Sequence, residues 1–295
     1  MRVFVVAAFV AGACLTTSVS PLGRARAEDK KDEKKEKELT KLLDDIETAM
    51  KAKKYADVIP LAKKASELDP KNPAAPFAAA TAHTQLRQNA EAVKEWTKLL
   101  ALEPKAVRAY DSRGDAQLKL GNFKEALSDF DEYLKSDPKF APDHWRRGIA
   151  LYYAGRFKDG VDQFEQHRTV NGEDVENSAW HYLCNARANT PKKAREDLIP
   201  VTKDARVPMK QVLELFAGKI KPKDVIDAAE NEKLKGEPLK EARFYANLYV
   251  ALYYESEGDA KKCREHLTEA VEKYEISHYM WDVAAVHLKL LKDKK

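Results

Sequence analysis

The stretch Gly114-Asp115-Ala116-Gln117-Leu118-Lys119-Leu120-Gly121-Asn122-Phe123 decides the fold, because its glycines and phenylalanine return 34 residues later in Gly148-Ile149-Ala150-Leu151-Tyr152-Tyr153-Ala154-Gly155-Arg156-Phe157. Phe130 returns on the same period as Phe164, and Pro70, Pro104 and Pro138 are spaced by that interval too. Self-similarity at a fixed period of this length is the mark of a solenoid. Between the punctuating residues the apolar side chains fall at helical spacing, as in Ala126, Leu127, Phe130, Tyr133 and Leu134. Each helical pair then carries an apolar face that it cannot bury alone, so a core arises by stacking three or more units. The expectation is an all-α solenoid of antiparallel helix pairs.

The spacing resembles the tetratricopeptide-repeat family, in which a small residue in the first helix admits the second helix closely and a proline ends each unit. Four units are expected, at residues 39–72, 73–106, 107–140 and 141–174. Unit three carries Gly114 at the helix crossing, Gly121 in the turn, Ala126 and Phe130 in the second helix and Pro138 at its end. Unit one departs from the pattern with Ile46 at the crossing, and unit four has Gly172 near the place of the terminal proline. Past residue 174 the period breaks, while helical spacing continues through 176–188, 207–217, 223–231, 237–256, 260–274 and 278–291. Residues 175–236 read as an irregular helical segment. Residues 237–295 read as one further repeat-like pair with a capping helix, Ala251 taking the crossing, Gly258 the turn and Cys263, Leu267 and Ala270 the second helix.

At the N-terminus, Arg2, the apolar run of residues 3–15 and Ala25-Arg26-Ala27 read as a signal peptide over residues 1–27. The run is too short for the roughly 20 residues of a membrane-spanning helix, so no transmembrane segment is expected. Ala11-Gly12-Ala13-Cys14 offers the alternative of a lipid anchor on Cys14, although Ala11 stands where leucine is usual in such a signal. Residues 28–38 contain no apolar side chain and read as a charged disordered linker, a solvated tether or frayed helix. Loss of Arg2, Arg24 and Arg26 takes the 52 Lys and Arg to 49 against 48 Asp and Glu. A chain so nearly neutral lacks the clustered cations that nucleic-acid binding requires.

Arg147-Gly148-Ile149-Ala150-Leu151-Tyr152-Tyr153 with Gly155-Arg156, then Ser178-Ala179-Trp180-His181-Tyr182-Leu183, then Phe244-Tyr245, Tyr249, Tyr253-Tyr254 and Gly258-Asp259 are similar to stretches of NlpI-type bacterial envelope lipoproteins. That resemblance, over roughly residues 73–275, implies a periplasmic or envelope-associated homodimeric adaptor that brings peptidoglycan hydrolases to a protease. This chain departs from that family in its lipidation signal, with Ala11 where leucine is usual, and in its charged N-terminal extension.

In tetratricopeptide arrays the inner wall comes from the first helix of each unit. Here that selects Leu43, Glu47, Met50 and Lys51 in unit one and Phe77, Thr81, Thr84 and Gln85 in unit two. Unit three adds Arg108, Asp111, Asp115, Leu118 and Lys119, and unit four Trp145, Ile149, Tyr152 and Tyr153. Aromatic rings and guanidinium groups on one wall suit capture of a protein or peptide partner. The expected partner-binding groove is Phe77, Arg108, Asp111, Asp115, Lys119, Trp145, Ile149, Tyr152 and Tyr153, unless the C-terminal helices fold back and bury its aromatic part. The alternative function is a structural subunit whose repeat surface is used up in self-association or a fixed complex.

His181 with Cys184, and Cys263 with His266, are spaced three apart, but in opposite order, and two buried free thiols outweigh both zinc and a Cys184–Cys263 disulfide. No nucleophile elbow, His-Glu-x-x-His, phosphate loop or dinucleotide fingerprint occurs. The neighbouring acids Asp44-Asp45 and Glu173-Asp174 point in different directions on a helix and make poor acid/base couples. Neither a catalytic site nor a cofactor or metal is expected.

Overall fold

The computed structural model describes residues 21–230 and 233–293, with side chains from residue 32 to residue 292 outside that gap. The apolar signal run and Cys14 lie outside the described residues. Eight helices pair in succession: α1 (Pro21–Lys51) with α2 (Tyr55–Leu68), α3 (Ala74–Gln85) with α4 (Asn89–Leu102), α5 (Val107–Leu120) with α6 (Phe123–Ser136), and α7 (Trp145–Tyr153) with α8 (Phe157–His167). Residues 28–38, expected as a disordered linker, are helical and belong to α1, and side chains 32–38 stand in solvent. Regular alternation of acid and base over this run is compatible with an exposed helix as well as with a tether.

Close crossings hold each pair. A Cβ on Gly114 would sit 2.7 Å from Phe130 Cε1, and one on Gly148 would sit 2.5 Å from Phe164 Cζ, so the phenylalanine ring occupies the space a side chain would need. A polar clamp repeats on the same period. Arg113 on α5 donates to Asp129 on α6 at 2.7 and 2.8 Å and to Thr97 on α4 at 3.2 Å. Arg147 on α7 donates to Gln163 on α8 at 3.1 Å and to Asp131 on α6 at 2.8 Å. Each arginine thus ties its own unit's second helix to that of the unit before, and its charge-assisted bonds fix the stacking offset.

The turn inside each pair needs a left-handed residue. Gly121 and Gly155 supply it with φ of 86° and 75°, while units one and two place Lys53 and Arg87 at that register, each with φ of 55°. A side chain there costs energy through the clash of Cβ with the backbone.

The second half departs from the period. α9 (Val175–Ala188) is buried along nearly its whole length, wrapped by α8, α10 (Pro191–Glu196), α11 (Met209–Phe216) and α13 (Glu237–Ser256), with α12 (Pro222–Ala229) packed on α13. α13 and α14 (Ala260–Lys273) form a fifth pair in which Ala251, Cys263, Leu267 and Ala270 are buried and Gly258 takes a φ of 83°. α15 (Tyr279–Asp293) packs on α14 and returns to lie against α5. One continuous core therefore runs from Leu118 to Leu288. Two smaller cores precede it: α1, α2 and α3 share one built largely of Ala49, Ala62, Ala65, Ala75, Ala78 and Ala82, and Ala80, Ala92, Trp96, Leu99, Leu100, Ala109 and Ala116 form another that joins unit two to α5.

Two substitutions test these constraints. Gly148→Ala is expected to lower stability by about 1–3 kcal/mol, because Phe164 must shift in a packed core, measured by urea unfolding of the full chain. Lys53→Gly is expected to raise stability by about 0.5–1 kcal/mol by relieving the left-handed strain. Arg87→Gly, at the equivalent turn, is expected to lower it, because the Arg87 guanidinium lies 5.1 Å over the Trp281 ring and beside Asp282 at 3.6 Å. Equal gains from both glycines would show that the Arg87 side chain contributes nothing.

Candidate partner-binding surface

The inner wall formed by α1, α3, α5 and α7 divides into a covered half and an open half. Over α5 and α7 the wall is covered by α15 and the turn before it. Asp282 of α15 stands 3.6 Å from Arg87 Nε and 3.8 Å from Lys119 Nζ. Lys119 reaches Asp115 at 2.9 Å, Arg146 bridges Asp115 at 3.4 Å and Asp111 at 2.7 Å, and His144 meets Asp111 at 2.9 Å. The result is a ladder of alternating charge running along the wall. Burial pushes the Asp282 carboxyl up, and Lys119 and Arg87 offset this only in part. For Asp111, burial acts in the same direction but is outweighed by His144 and Arg146, which hold it below its ordinary range.

The aromatic residues of unit four are seated in the same covered half. Trp145 meets Tyr279 edge-on at 4.8 Å, and the Lys119 ammonium lies 4.7 Å from the Tyr279 ring centre. The Tyr152 hydroxyl donates to Glu255 at 2.6 Å, while the Tyr153 hydroxyl shares a hydrogen bond of 3.0 Å with His287 Nδ1. Burial opposes ionisation of Glu255, but His287, Tyr152 and Arg187 together hold its carboxyl below the usual range. The Tyr152 and Tyr153 hydroxyls are pushed well above theirs, chiefly by burial and then by the Glu255 charge, so both stay protonated.

This arrangement corrects the expected groove. Ile149 and Tyr152 are 1% and 4% exposed, Tyr153 and Trp145 are largely covered, and Asp111, Asp115 and Lys119 are committed to the ladder. The wall's own ion pairs, Glu255 of α13 and the covering α15 satisfy their polar and apolar groups, so they are not a free surface for a partner.

Phe77 and Arg108 fare differently. Phe77 is 51% exposed with its ring edge-on to Trp96 at 5.8 Å, and Arg108 is exposed without an ion pair among the described residues. The structure brings them to one cleft of about 380 Å³, lined also by Leu99, Val107, Tyr133 and Phe140. Phe140 is 40% exposed and stacks on Tyr133 at 5.8 Å with the rings 13° apart. It stands in a short 3-10 turn, Pro138–Phe140, begun by Asp137, whose side chain accepts from the Lys139 amide. Sequence reasoning missed Tyr133 as a surface residue and Phe140 altogether. The available signal was an apolar side chain just after a unit-ending proline, where no helical face can bury it.

Elsewhere on the inner wall, Thr81 and Thr84 turn their hydroxyls back to the carbonyls of Phe77 and Ala80, and Glu47 pairs with Lys51. Cys184 and Cys263 are free and buried, so no disulfide joins them. Cys184 lies against Gly160, where an added Cβ would be 2.6 Å from its Sγ, and burial pushes the Cys263 thiol up to about 12. His181 stands 3.3 Å from Glu165, and His266 bonds Asn247 at 2.9 Å. Among the described residues no group of three or more metal-ligating side chains converges. No described helix is long and apolar enough to cross a membrane.

Residues 77–139 match the tetratricopeptide-repeat family. No curated protein matches the chain in sequence. A tetratricopeptide-repeat protein from Parabacteroides merdae superposes with a TM-score of 0.57 at 15% identity, covering 87% of this chain and 99% of that one. The MamA protein superposes with a TM-score of 0.50 at 13% identity, over 62% of this chain and 93% of its own. The type IV pilus biogenesis factor PilW gives a TM-score of 0.45 at 14% identity, over 83% and 97% of the two chains, a level at which the likeness carries no functional weight. The shared feature is the fold: the chain is an all-α tetratricopeptide-repeat solenoid whose central units carry the family's own pattern.

Proposed function

We propose that this protein is an exported, non-catalytic scaffold of the cell envelope that holds a protein partner by a segment seated in the Phe77–Phe140 cleft. The observation that carries the reading is the meeting of the two most exposed phenylalanines of the repeat array with a guanidinium that has no ion pair among the described residues. Flat rings offer large contact area at little entropic cost, and the exposed Arg108 supplies a partner for a carboxylate at the rim. The segment that fits places an apolar side chain beside an acidic group.

Repeat solenoids serve as binding surfaces because their stacked helices stay rigid while surface side chains vary. Export rests on the N-terminal apolar run followed by Ala25-Arg26-Ala27, and the envelope setting on the resemblance to NlpI-type adaptors, whose partners are envelope enzymes. With the unit-four aromatics covered by α15, a partner of that kind engages the N-terminal half of the array.

Selection of displayed random peptides on the full chain tests the reading. Enriched peptides are expected to pair an apolar residue with an adjacent acid, and Phe77→Ala or Arg108→Glu is expected to weaken their binding about tenfold or more, as for residues at the centre of an interface. Tyr152→Phe, in the covered half, is expected to leave binding unchanged. Peptides that bind Arg108→Glu and Phe77→Ala as tightly as the parent, with all variants folded by circular dichroism, would remove the cleft from consideration.

A further inference from the structure

The loop of residues 168–174, which joins α8 to α9, carries Asn171-Gly172, the one place in the chain where an asparagine precedes a glycine. Both residues lie outside any helix, and Asn171 is exposed to water. Asn171 Nδ2 donates to Asp174 Oδ2 at 3.2 Å, which bends the side chain forward over Gly172. The Asn171 backbone N–H is held by the His167 carbonyl at 2.9 Å, whereas the Gly172 N–H donates to no group among the described residues.

A side-chain amide bent over a free backbone N–H is placed for reaction within the chain, because proximity spares the entropy that a separate nucleophile would lose. The Gly172 nitrogen gives its proton to solvent hydroxide and attacks Asn171 Cγ. A new N–Cγ bond closes a succinimide ring, the Cγ–Nδ2 bond breaks, and the departing nitrogen takes a proton from water and leaves as ammonia. Water then adds across one of the two ring C–N bonds, its hydroxyl to carbon and its hydrogen to nitrogen. Breaking the bond to Cγ gives aspartate. Breaking the bond to the main-chain carbonyl carbon gives isoaspartate, with the backbone rerouted through Cβ and Cγ. Nothing is oxidised or reduced, and the sum is one water taken up and one ammonia released.

Glycine matters at this position because no Cβ crowds the attacking nitrogen. The turn is also tight, since a Cβ on Gly172 would sit 3.0 Å from the Arg168 carbonyl oxygen. Comparable pairs elsewhere are held shut. Asp159-Gly160 lies in α8, where the Gly160 N–H donates to the Arg156 carbonyl at 3.0 Å. Asn177-Ser178 lies in α9, where Asn177 is 3% exposed and the Ser178 N–H donates to the Asp174 carbonyl at 3.3 Å. An N–H already bonded in a helix attacks nothing until that bond is broken.

We infer that Asn171 is a modification site, converted by water to isoaspartate and aspartate, and that the change loosens the start of α9. Asp174 caps α9 by accepting from the Glu176 N–H at 3.0 Å, and the same oxygen accepts from Arg206 at 2.6 Å. Its other oxygen accepts from Asn171. Conversion removes that donor and sets a new carboxylate beside Asp174, where Glu173, Glu176 and Asp204 already outnumber Arg206 and Lys203. Like charges so placed repel. The extra backbone carbon of isoaspartate also lengthens a turn that packs at contact distance. The site is independent of the Phe77–Phe140 cleft.

Ageing of the folded full chain in mildly alkaline buffer, followed by tryptic digestion under mildly acidic conditions and mass spectrometry, tests the inference. The peptide of residues 169–187 holds Asn171, Asn177 and Asn185, so it carries its own controls. Progressive exchange of amide for carboxyl is expected at Asn171, with Asn177 and Asn185 unchanged. Asn171→Gln, whose longer side chain has to close a larger ring, is expected to lose the reaction. Conversion of Asn171 in urea-unfolded chain but not in folded chain would show that the turn protects it and overturn the site. Conversion of Asn177 or Asn185 as fast as Asn171 in folded chain would overturn the geometric argument. Asn171→Asp and the aged parent are each expected to unfold at lower urea than the fresh parent, with the slope unchanged. Aged Asn171→Gln is expected to keep the midpoint of the fresh variant, which separates this site from other damage. Midpoints equal to the fresh parent's in both Asn171→Asp and the aged chain would overturn the loosening of α9.

Discussion

The seating of α15 across α5 and α7 is the constraint from which the rest of the architecture follows. A tetratricopeptide array left to itself is a one-dimensional stack, each unit touching its neighbours only. Here the last helix returns to the middle of the stack, and its buried Met280, Val283, Ala284 and Leu288 join a core that also holds Leu118, Tyr152, Trp180 and Leu252. That closure makes units three and four and everything after them one cooperative body. It also accounts for the heavy aromatic content of unit four. Tyr152 and Tyr153 turn hydroxyls toward Glu255 and His287 because α13 and the returning α15 are there to receive them. Charged side chains guide the same contact, since Asp282 enters between Arg87 and Lys119.

Units one and two lie outside that large core, and a smaller one of Ala80, Ala92, Trp96, Leu99, Leu100, Ala109 and Ala116 joins unit two to unit three. The core that units one and two share is small-residue packing, with alanines from α1, α2 and α3 in contact, so less apolar surface leaves water per residue than around α9. These two units also accept Lys53 and Arg87 in left-handed turns where the later units use glycine. For Arg87 the strain is offset by its contacts with Trp281, Asp282 and the Ile276 carbonyl, which pin the closing segment to unit two. The array thus grades from a thin, open end to a thick, closed one, and the exposed Phe77 and Phe140 lie near the boundary.

Much of this was legible in the sequence, and the part that was not has a common cause. Period and helix pairing follow from local features such as Gly114, Gly121, Phe130 and Pro138, whose effects reach one helix away. Gly148 and Phe164 announce a close crossing as plainly as they form one. What spacing could not convey is any contact between distant parts of the chain. Tyr152 and Glu255 are 103 residues apart, and Tyr153 and His287 are 134 apart, with nothing in either neighbourhood to name the other. A wall residue read by its register alone is therefore placed correctly on the wall and wrongly in solvent. In the N-terminal run of acids and bases, low hydrophobicity removes a core contact without removing the helix.

A helix lying in a repeat groove invites the idea that it stands in for a partner and yields to one. The side chains of α15 argue against this. Burying a Val, Leu or Met side chain is worth roughly 1.5–3 kcal/mol, and Met280, Val283 and Leu288 are each almost wholly buried. Displacement would also part Asp282 from Arg87 and Lys119, and His287 from Tyr153 and Glu255. An incoming peptide would have to replace all of these contacts at once, with the translational freedom of a separate molecule lost in addition. The covered half of the wall is for that reason a permanent part of the fold, and recognition belongs to surfaces that α15 leaves free.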